Sequence, residues 1–417
     1  MKKILIIEDS KSIASTLSLM IKEQFGYKTV LGSSVKECAK ILLEHKGRFD
    51  VALLDLGLPD STNGEIVDFV TKFNIPIIIL TASTSIEEDI KNRSLNIVDY
   101  VIKDGIYSFK YALSVIQRVI NNKTIKVLVV DDSKSFLETI KKLLQRYRLT
   151  VFTAKNGKEA LDVMNEHQDI KLLLTDYYMP LIDGLELVRV LRKKYNKDEL
   201  SIIVTSGSKD KKTASKFLKY GANDFLYKGF TQEELFVRIS ANLELLELFE
   251  QLRKKANTDY LTNLYNRRYF FEQGKKILEF SKINNKICAV ALIDIDNFKI
   301  INDEYGHDIG DIAIKEVSIV LNRFLYNNEL VARLGGEEFS ILFYNCEEKE
   351  TLDKLELIRE EFEKNVIDLG TINIKFTVSI GCSFNNSNGS IDAMLQEADK
   401  NLYKAKDSGR NQIRYKK

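Results

Sequence analysis

The hydrophobic pattern of this chain is written twice and then changes. Residues 4–7 are all apolar and run into Glu8-Asp9, and residues 127–130 repeat the figure before Asp131-Asp132. Each copy continues with largely apolar short runs, at 51–54 and 75–80 in the first and at 171–174 and 201–204 in the second. Amphipathic stretches with three-to-four spacing separate them. Strands that are apolar at successive positions are covered on both faces, and their alternation with helices predicts a parallel, doubly wound (βα)5 sheet in each copy. Ligands of such sheets sit beyond the carboxyl ends of the strands. Glu8, Asp9 and Asp55 fall there in the first copy, and Asp131, Asp132 and Asp176 in the second.

The repeat is explicit in letters: KILIIEDSKS at 3–12 returns as KVLVVDDSKS at 126–135. Three carboxylates at one sheet edge repel one another unless a hard cation joins them. A hydroxyl and a lysine accompany each acidic set, Thr81 with Lys103 and Ser206 with Lys228, 22 residues apart in both copies; Thr205 is the neighbouring alternative for the second hydroxyl. With these residues in place, both copies resemble the response-regulator receiver domain, over about 1–122 and 124–246. The resemblance implies phosphoryl acceptance at Asp55 and Asp176 from a sensor histidine kinase or phosphotransfer protein. It implies Mg2+ held by each acidic set, phosphoryl contacts from the hydroxyl and the lysine, and switch aromatics at Tyr100 and Phe225. Pro59 and Pro180 match the family's loop. Glu8 stands where the family has Asp, and Asp104 and Gly229 follow the lysines where proline is usual.

After a connecting segment the pattern changes. An apolar run at 287–293 ends in Asp294-Ile295-Asp296-Asn297-Phe298-Lys299, and runs at 330–332 and 339–344 flank Gly335-Gly336-Glu337-Glu338. Two strands closed by a Gly-Gly turn are expected, with alternation sending Glu337 and Glu338 to opposite faces of the departing strand. Alone, such a tip would be an ordinary acidic hairpin. The acids at 294 and 337 together with Lys406 and Arg410 are the parts that a magnesium–triphosphate site needs. With the opening segment DYLTNLYNRR at 259–268, these motifs resemble the GGDEF diguanylate cyclase domain, over about residues 257–417.

That resemblance implies a nucleotidyl-cyclase-like α/β fold that condenses two GTP molecules into cyclic di-GMP and two pyrophosphates. Asp294, Glu337 and the carbonyl of Ile295 are the implied ligands of Mg2+ or Mn2+, and Glu338 a supporting or proton-accepting group. Asp296 either assists or faces away, which alternation does not decide. Guanine offers two adjacent donors that a carboxylate accepts together; Asp311 matches that carboxylate and Asn302 the amide beside it. Phe298, Lys299, Gly335 and Gly336 match positions around the phosphates. Lys406 and Arg410 match the phosphate-contacting pair, four apart and so on one face if the helix persists. His307 belongs to the loop near the substrate rather than to the chemistry. The family's product-inhibition motif, Arg-x-x-Asp, is replaced by Tyr326-Asn327-Asn328-Glu329, and a tyrosine cannot supply a bidentate guanidinium contact. Weak or absent feedback inhibition is expected.

The connection between these parts starts at Thr231-Gln232-Glu233-Glu234, a capping-box pattern. Leu235, Ile239, Leu243, Leu246 and Phe249 then repeat at helical spacing, predicting one long helix through the 247–256 linker and a coiled-coil-like stalk that favours a homodimer. Composition adds exclusions. A net charge of +2 gives no basis for a polyanion-binding protein, and no basic recognition segment follows the receivers, so DNA is not an expected partner. Cys38, Cys288, Cys346 and Cys382 lack metal or redox spacing, and no apolar run is long enough to span a membrane. A cytoplasmic protein is the expectation. The alternative to an enzyme is a domain that binds GTP or cyclic di-GMP without turnover.

Overall fold

A computed structural model describes residues 2–61, 64–82, 96–207, 211–325, 329–370, 372–385 and 390–416. The chain divides into two units, Met1–Phe249 and Glu250–Lys417.

The first unit begins with β1 (Lys3–Ile7), α1 (Lys11–Phe25), β2 (Lys28–Gly32), α2 (Val35–Glu44), β3 (Val51–Asp55), α3 (Glu65–Thr71), β4 (Ile77–Thr81), β5 (Ile97–Ile102) and α4 (Ile106–Asn121). The five strands are parallel, in the order β2-β1-β3-β4-β5. The connection between β4 and β5 lies outside the described residues. β3 and β4 are buried at every position, as unbroken apolar strands of a covered sheet must be. The second copy follows as β6 (Lys126–Val130), α5 (Lys134–Arg146), β7 (Thr150–Ala154), α6 (Gly157–Glu166), β8 (Ile170–Asp176), α7 (Gly184–Arg192), β9 (Ser201–Ser206), α8 (Lys211–Lys219) and β10 (Asp224–Tyr227), again parallel, in the order β10-β9-β8-β6-β7. Asp55 and Asp176 are each the last residue of the central strand, at its carboxyl end.

The two copies are not separate bodies. One apolar core runs from Ile4 and Leu17 through Ile116 and Val119 of α4 to Val127, Ile140, Phe236 and Leu246. The last helix, α9 (Gln232–Asn257), closes it with Leu235, Ile239, Leu243 and Leu246, all buried. The Thr231 hydroxyl accepts from the Glu234 amide, so the expected cap is formed. Phe249 departs from the pattern: it is 39% exposed, beyond the last residue that this core covers.

The second unit adds β11 (Tyr265–Asn266), α10 (Arg267–Ile283), β12 (Cys288–Ile295), α11 (Phe298–Tyr305), α12 (His307–Phe324), β13 (Glu329–Gly335), β14 (Glu338–Tyr344), α13 (Glu348–Lys364), the small pair β15 (Ile367–Asp368) and β16 (Asn373–Ile374), then β17 (Val378–Phe384), α14 (Ile391–Asp407) and β18 (Ile413–Tyr415). Its sheet runs β11-β13-β14-β12-β17-β18, with antiparallel pairing at the centre and parallel pairing at both edges. Helices cover both faces over two cores, one built on Ala291, Ile293, Val317 and Ile358, the other on Val290, Leu342, Ala398 and Leu402. β12 is buried throughout and delivers Asp294 to its carboxyl end.

Candidate functional site

In both copies of the parallel fold, burial and charge meet at the same place. Glu8, Asp9 and Asp55 offer carboxylate oxygens within 4.8 Å of one another, and so do Asp131, Asp132 and Asp176. A lysine reaches into each set. Lys103 Nζ lies 2.8 Å from Glu8 Oε2 and 2.8 Å from Asp55 Oδ2; Lys228 Nζ lies 2.8 Å from Asp131 Oδ2 and 3.0 Å from Asp176 Oδ2. The lysine is tied to the hydroxyl-bearing strand by its own backbone: Lys103 N–H donates to Thr81 O and Lys228 N–H to Ser206 O, both at 2.8 Å. Thr205 Oγ1 is directed to Thr175 O instead, which leaves Ser206 as the strand-end hydroxyl.

Burial raises the Glu8 and Asp176 carboxyls above the usual carboxylate range, against the lowering pull of Lys103 and Lys228. Asp176 Oδ1 is buried without a hydrogen-bond partner. Clustered hard oxygens, one of them orphaned, suit a divalent cation such as Mg2+. Phe225 packs against Phe217 and Tyr227, whereas Tyr100 is half-buried.

The second unit gathers its acids around the end of β12. Asp294, 4% exposed, has Lys406 Nζ 2.8 Å from its Oδ2. Burial pushes its carboxyl up to about 6; Lys406 pulls it down, and Glu337 and Glu338 push it further up. Two carboxylates within electrostatic reach of a buried third, with one ammonium for balance, fit a site for divalent metal and polyphosphate.

The hairpin differs from its expected form. Gly335 pairs with Glu338, and the register shifts between Arg333 and Gly335, so Gly336 and Glu337 make the turn. Glu337 therefore lies in the turn rather than on the departing strand, and strand alternation does not set its direction. Gly335 (φ 151°) and Gly336 (φ 53°) take the positive angles the bend demands. Arg333 fixes the tip: its Nε and Nη2 donate to Gly336 O at 2.9 and 2.8 Å, and its Nη1 lies 3.1 Å from Asp259 Oδ1. Asp259 also accepts from the Thr262 amide and hydroxyl. The pair escapes sequence reading because 74 residues separate its members.

An elbow between α11 and α12 brings the nucleobase candidates together. Asn302 lies on α11, Asp311 on α12, and the glycine between them closes the gap: a Cβ on Gly310 would stand 2.0 Å from Asn302 Oδ1 and 3.2 Å from Phe298 Cζ. Asp311 is exposed beside it. Phe298 and Lys299 open α11, where amides lack intrahelical partners. His307 begins α12 and is exposed.

One further expectation is corrected, and one position that the sequence left open is placed. α14 ends at Asp407, so Lys406 and Arg410 do not share a helical face; Arg410 (φ 63°) sits in a turn after Gly409. Asp296, open on sequence alone, turns away from the acidic cluster: its carboxylate accepts from Thr377, Ser379 and the Asn411 amide. Tyr326, Asn327 and Asn328 lie outside the described residues, and Glu329 is ion-paired with Lys354. The four cysteines are unpaired with one another, and burial holds the Cys38 and Cys382 thiols up at about 12. Among the described residues no helix is long and apolar enough to cross a membrane.

Comparison with known proteins matches these folds to known families. The family model described as response regulator receiver domain matches residues 4–106 and 127–240, and that described as diguanylate cyclase, GGDEF domain, matches 256–412. The response regulator PleD of Caulobacter vibrioides (strain NA1000 / CB15N) is 25% identical over 405 residues, 87% of this chain and 88% of its own. The diguanylate cyclase DosC of Shigella sonnei (strain Ss046) is 35% identical over 171 residues, 40% of this chain and 37% of its own. A crystal structure of a putative two-component system response regulator/GGDEF domain protein is 40% identical, with a TM-score of 0.55 over 59% of this chain and 100% of that one.

Proposed function

The chain belongs to the response-regulator family and carries a GGDEF domain that makes it a diguanylate cyclase, and from that premise we propose that phosphorylation and dimerisation switch on condensation of two GTP into cyclic di-GMP. The observation that carries the reading is the buried Asp294 with Lys406 at 2.8 Å and two further acids close by.

In the proposed reaction each ribose 3′-oxygen attacks the α-phosphorus of the other GTP. The bond from that phosphorus to the bridging oxygen breaks, and two pyrophosphates leave. Asp294, Glu337 and the Ile295 carbonyl would hold the divalent ion, Mg2+ or Mn2+. When bound, such an ion lowers the pKa of the attacking hydroxyl and neutralises the leaving pyrophosphate. Glu338 accepts the 3′ proton. Asp311 and Asn302 read the guanine edge, and adenine would present an acceptor to the carboxylate. Phe298, Lys299, Gly335 and Gly336 line the phosphates through their backbone, and Lys406 and Arg410 contact them through charge.

A single domain holds one GTP, so two copies must face each other. Ala241, Leu245, Leu248 and Leu252 recur at four-three-four spacing on α9 and are exposed, with Leu252 61% accessible. That is the seam of a parallel homodimeric coiled coil. Phosphoryl transfer to Asp55 or Asp176 from a histidine kinase or phosphotransfer protein strengthens the dimer, with Mg2+ held by the acidic sets and Thr81, Lys103, Ser206 and Lys228 on the phosphoryl oxygens. Tyr100 and Phe225 move with the hydroxyls. The protein works in the cytoplasm, without DNA, and product feedback through the 326–329 segment is weak or absent.

Purified protein with GTP and Mg2+ should yield cyclic di-GMP by mass spectrometry, and Asp294→Ala or Glu337→Ala should abolish it. Turnover unchanged in those variants, or bound GTP without product in the active form, would overturn the enzymatic reading. A phosphoryl mimic such as beryllofluoride should raise both mass and rate. Asp55→Asn and Asp176→Asn identify the receiver responsible.

A further inference from the structure

The turn that follows α14 has an unusual backbone. Gly409 (φ 111°), Arg410 (φ 63°) and Asn411 (φ 46°) are three successive residues with positive φ, and two of them carry side chains that disfavour it. Such a turn persists only where tertiary contacts hold it. Here the holding group is Asp296. Its Oδ2 accepts from the Asn411 amide at 3.0 Å and from Thr377 Oγ1 at 2.7 Å, and its Oδ1 accepts from Ser379 Oγ at 2.6 Å. Asn411 is anchored on its other side, its amide group bridging Arg359 and Glu363 of α13 at 2.8 and 3.0 Å. Between these anchors Arg410 is left exposed, its amide bonded to Ala405 O and its side chain presented to solvent.

We infer that Asp296 is a positioning residue for substrate: it pins the Gly409–Asn411 turn to the end of β12 and so sets Arg410 against the triphosphate whose metal Asp294 holds, two residues away on the same strand end. The inference rests on the proposed phosphate contact of Arg410. One strand end thus carries two acids with different tasks. Asp294 meets the acidic cluster and Lys406, whereas Asp296, 5% exposed, is occupied by three donors from β17, the residue before it and the turn. An asparagine at 296 would still accept from the Asn411 amide and donate to the Ser379 hydroxyl, whereas alanine removes every acceptor and releases the turn without removing any group that touches GTP.

The test uses the full-length chain with GTP and Mg2+. Asp296→Ala should raise KM for GTP about tenfold or more while kcat changes little, the pattern of lost binding rather than lost chemistry. In an Arg410→Ala background the same substitution should add almost nothing, because the residue it positions is gone. Thermal melting checks folding, and if Asp296→Ala does not fold, Thr377→Val decides through a smaller KM rise that also vanishes without Arg410. An unchanged KM in the folded variant, or a full multiplicative loss on top of Arg410→Ala, overturns the inference. If Arg410→Ala alone leaves KM unchanged, it is the phosphate contact that fails, and that outcome is read separately.

Discussion

Asp294 and Glu338 stand opposite each other in the antiparallel ladder between β12 and β14. Directly opposed residues put their side chains on one face of a sheet, and like charges there repel. The buried acid that ends one strand and the exposed acid that begins the next are therefore held together by the fold against their electrostatics. Lys406 is the balancing charge when no cation is bound.

That arrangement predicts a pH dependence for metal binding. The Asp294 carboxyl is held at about 6, above its ordinary value, first by burial. The folded protein thus binds this proton more tightly than the unfolded chain does. Its stabilising contribution is present below the ordinary carboxylate range and is lost as pH rises through about 6. Metal competes with the same proton, so affinity for Mn2+ should be level above neutrality and fall by up to about tenfold per pH unit below 6. Calorimetric titration without nucleotide measures this, and Asp294→Asn should flatten the curve.

Gly310 predicts a steric defect confined to nucleotide recognition. A methyl there meets Asn302 Oδ1 at 2.0 Å, so Gly310→Ala must displace the amide proposed to read guanine. Overpacking of this kind costs about 1–3 kcal/mol. Affinity for GTP should fall by a similar free energy, narrowing discrimination against ATP, whereas Mn2+ binding at Asp294 should hold. Competition binding with the two nucleotides distinguishes this outcome from general destabilisation.

What the sequence made legible was set by local physics. The twofold repeat and the covered strands were readable because a strand buried on both faces must be apolar at every position, as β3 and β4 are. The acidic sets followed because sheet topology places strand ends together. Positions decided by register or by distant partners did not follow. Glu337 entered the turn because the ladder shifts between Arg333 and Gly335. Arg410 left the helix because a turn bound to Asp296, 115 residues before Asn411, replaces another helical turn. The shared core of the two receivers had one signal: α4 buries Ala112, Leu113, Val115, Ile116, Val119 and Ile120, a wider apolar face than one sheet requires.

Arg333 predicts a loss that is larger for turnover than for folding. Its guanidinium joins the exposed Gly336 carbonyl to the partly buried Asp259. Arg333→Ala leaves the Asp259 carboxylate without its ion pair, at a cost of about 1–3 kcal/mol. The hairpin tip that carries Glu337 loses its two anchoring bonds as well. Cyclic di-GMP formation should drop well beyond the change in melting temperature. Arg333→Lys should not rescue it, since an ammonium cannot reproduce the forked contact.

Arg118 predicts how the two receivers unfold. Arg118 of α4 is 5% exposed; its Nη1 and Nη2 donate to Glu247 of α9 at 2.9 and 3.2 Å, and Nη2 forms a looser ion pair with Glu244 at 3.6 Å. Around it runs the apolar core common to both copies, and Tyr147 stacks on Phe236 within the same contact. A continuous core with a partly buried ion pair should melt as one cooperative transition in calorimetry of the whole chain. Glu247→Ala strips the guanidinium of its principal partner while leaving both acidic sets untouched, and should cost about 1–3 kcal/mol. The weakened junction should let the receivers part, so that the single transition broadens or divides in two. A transition that keeps its shape and midpoint would mean that apolar contact alone joins them, with the ion pair contributing nothing.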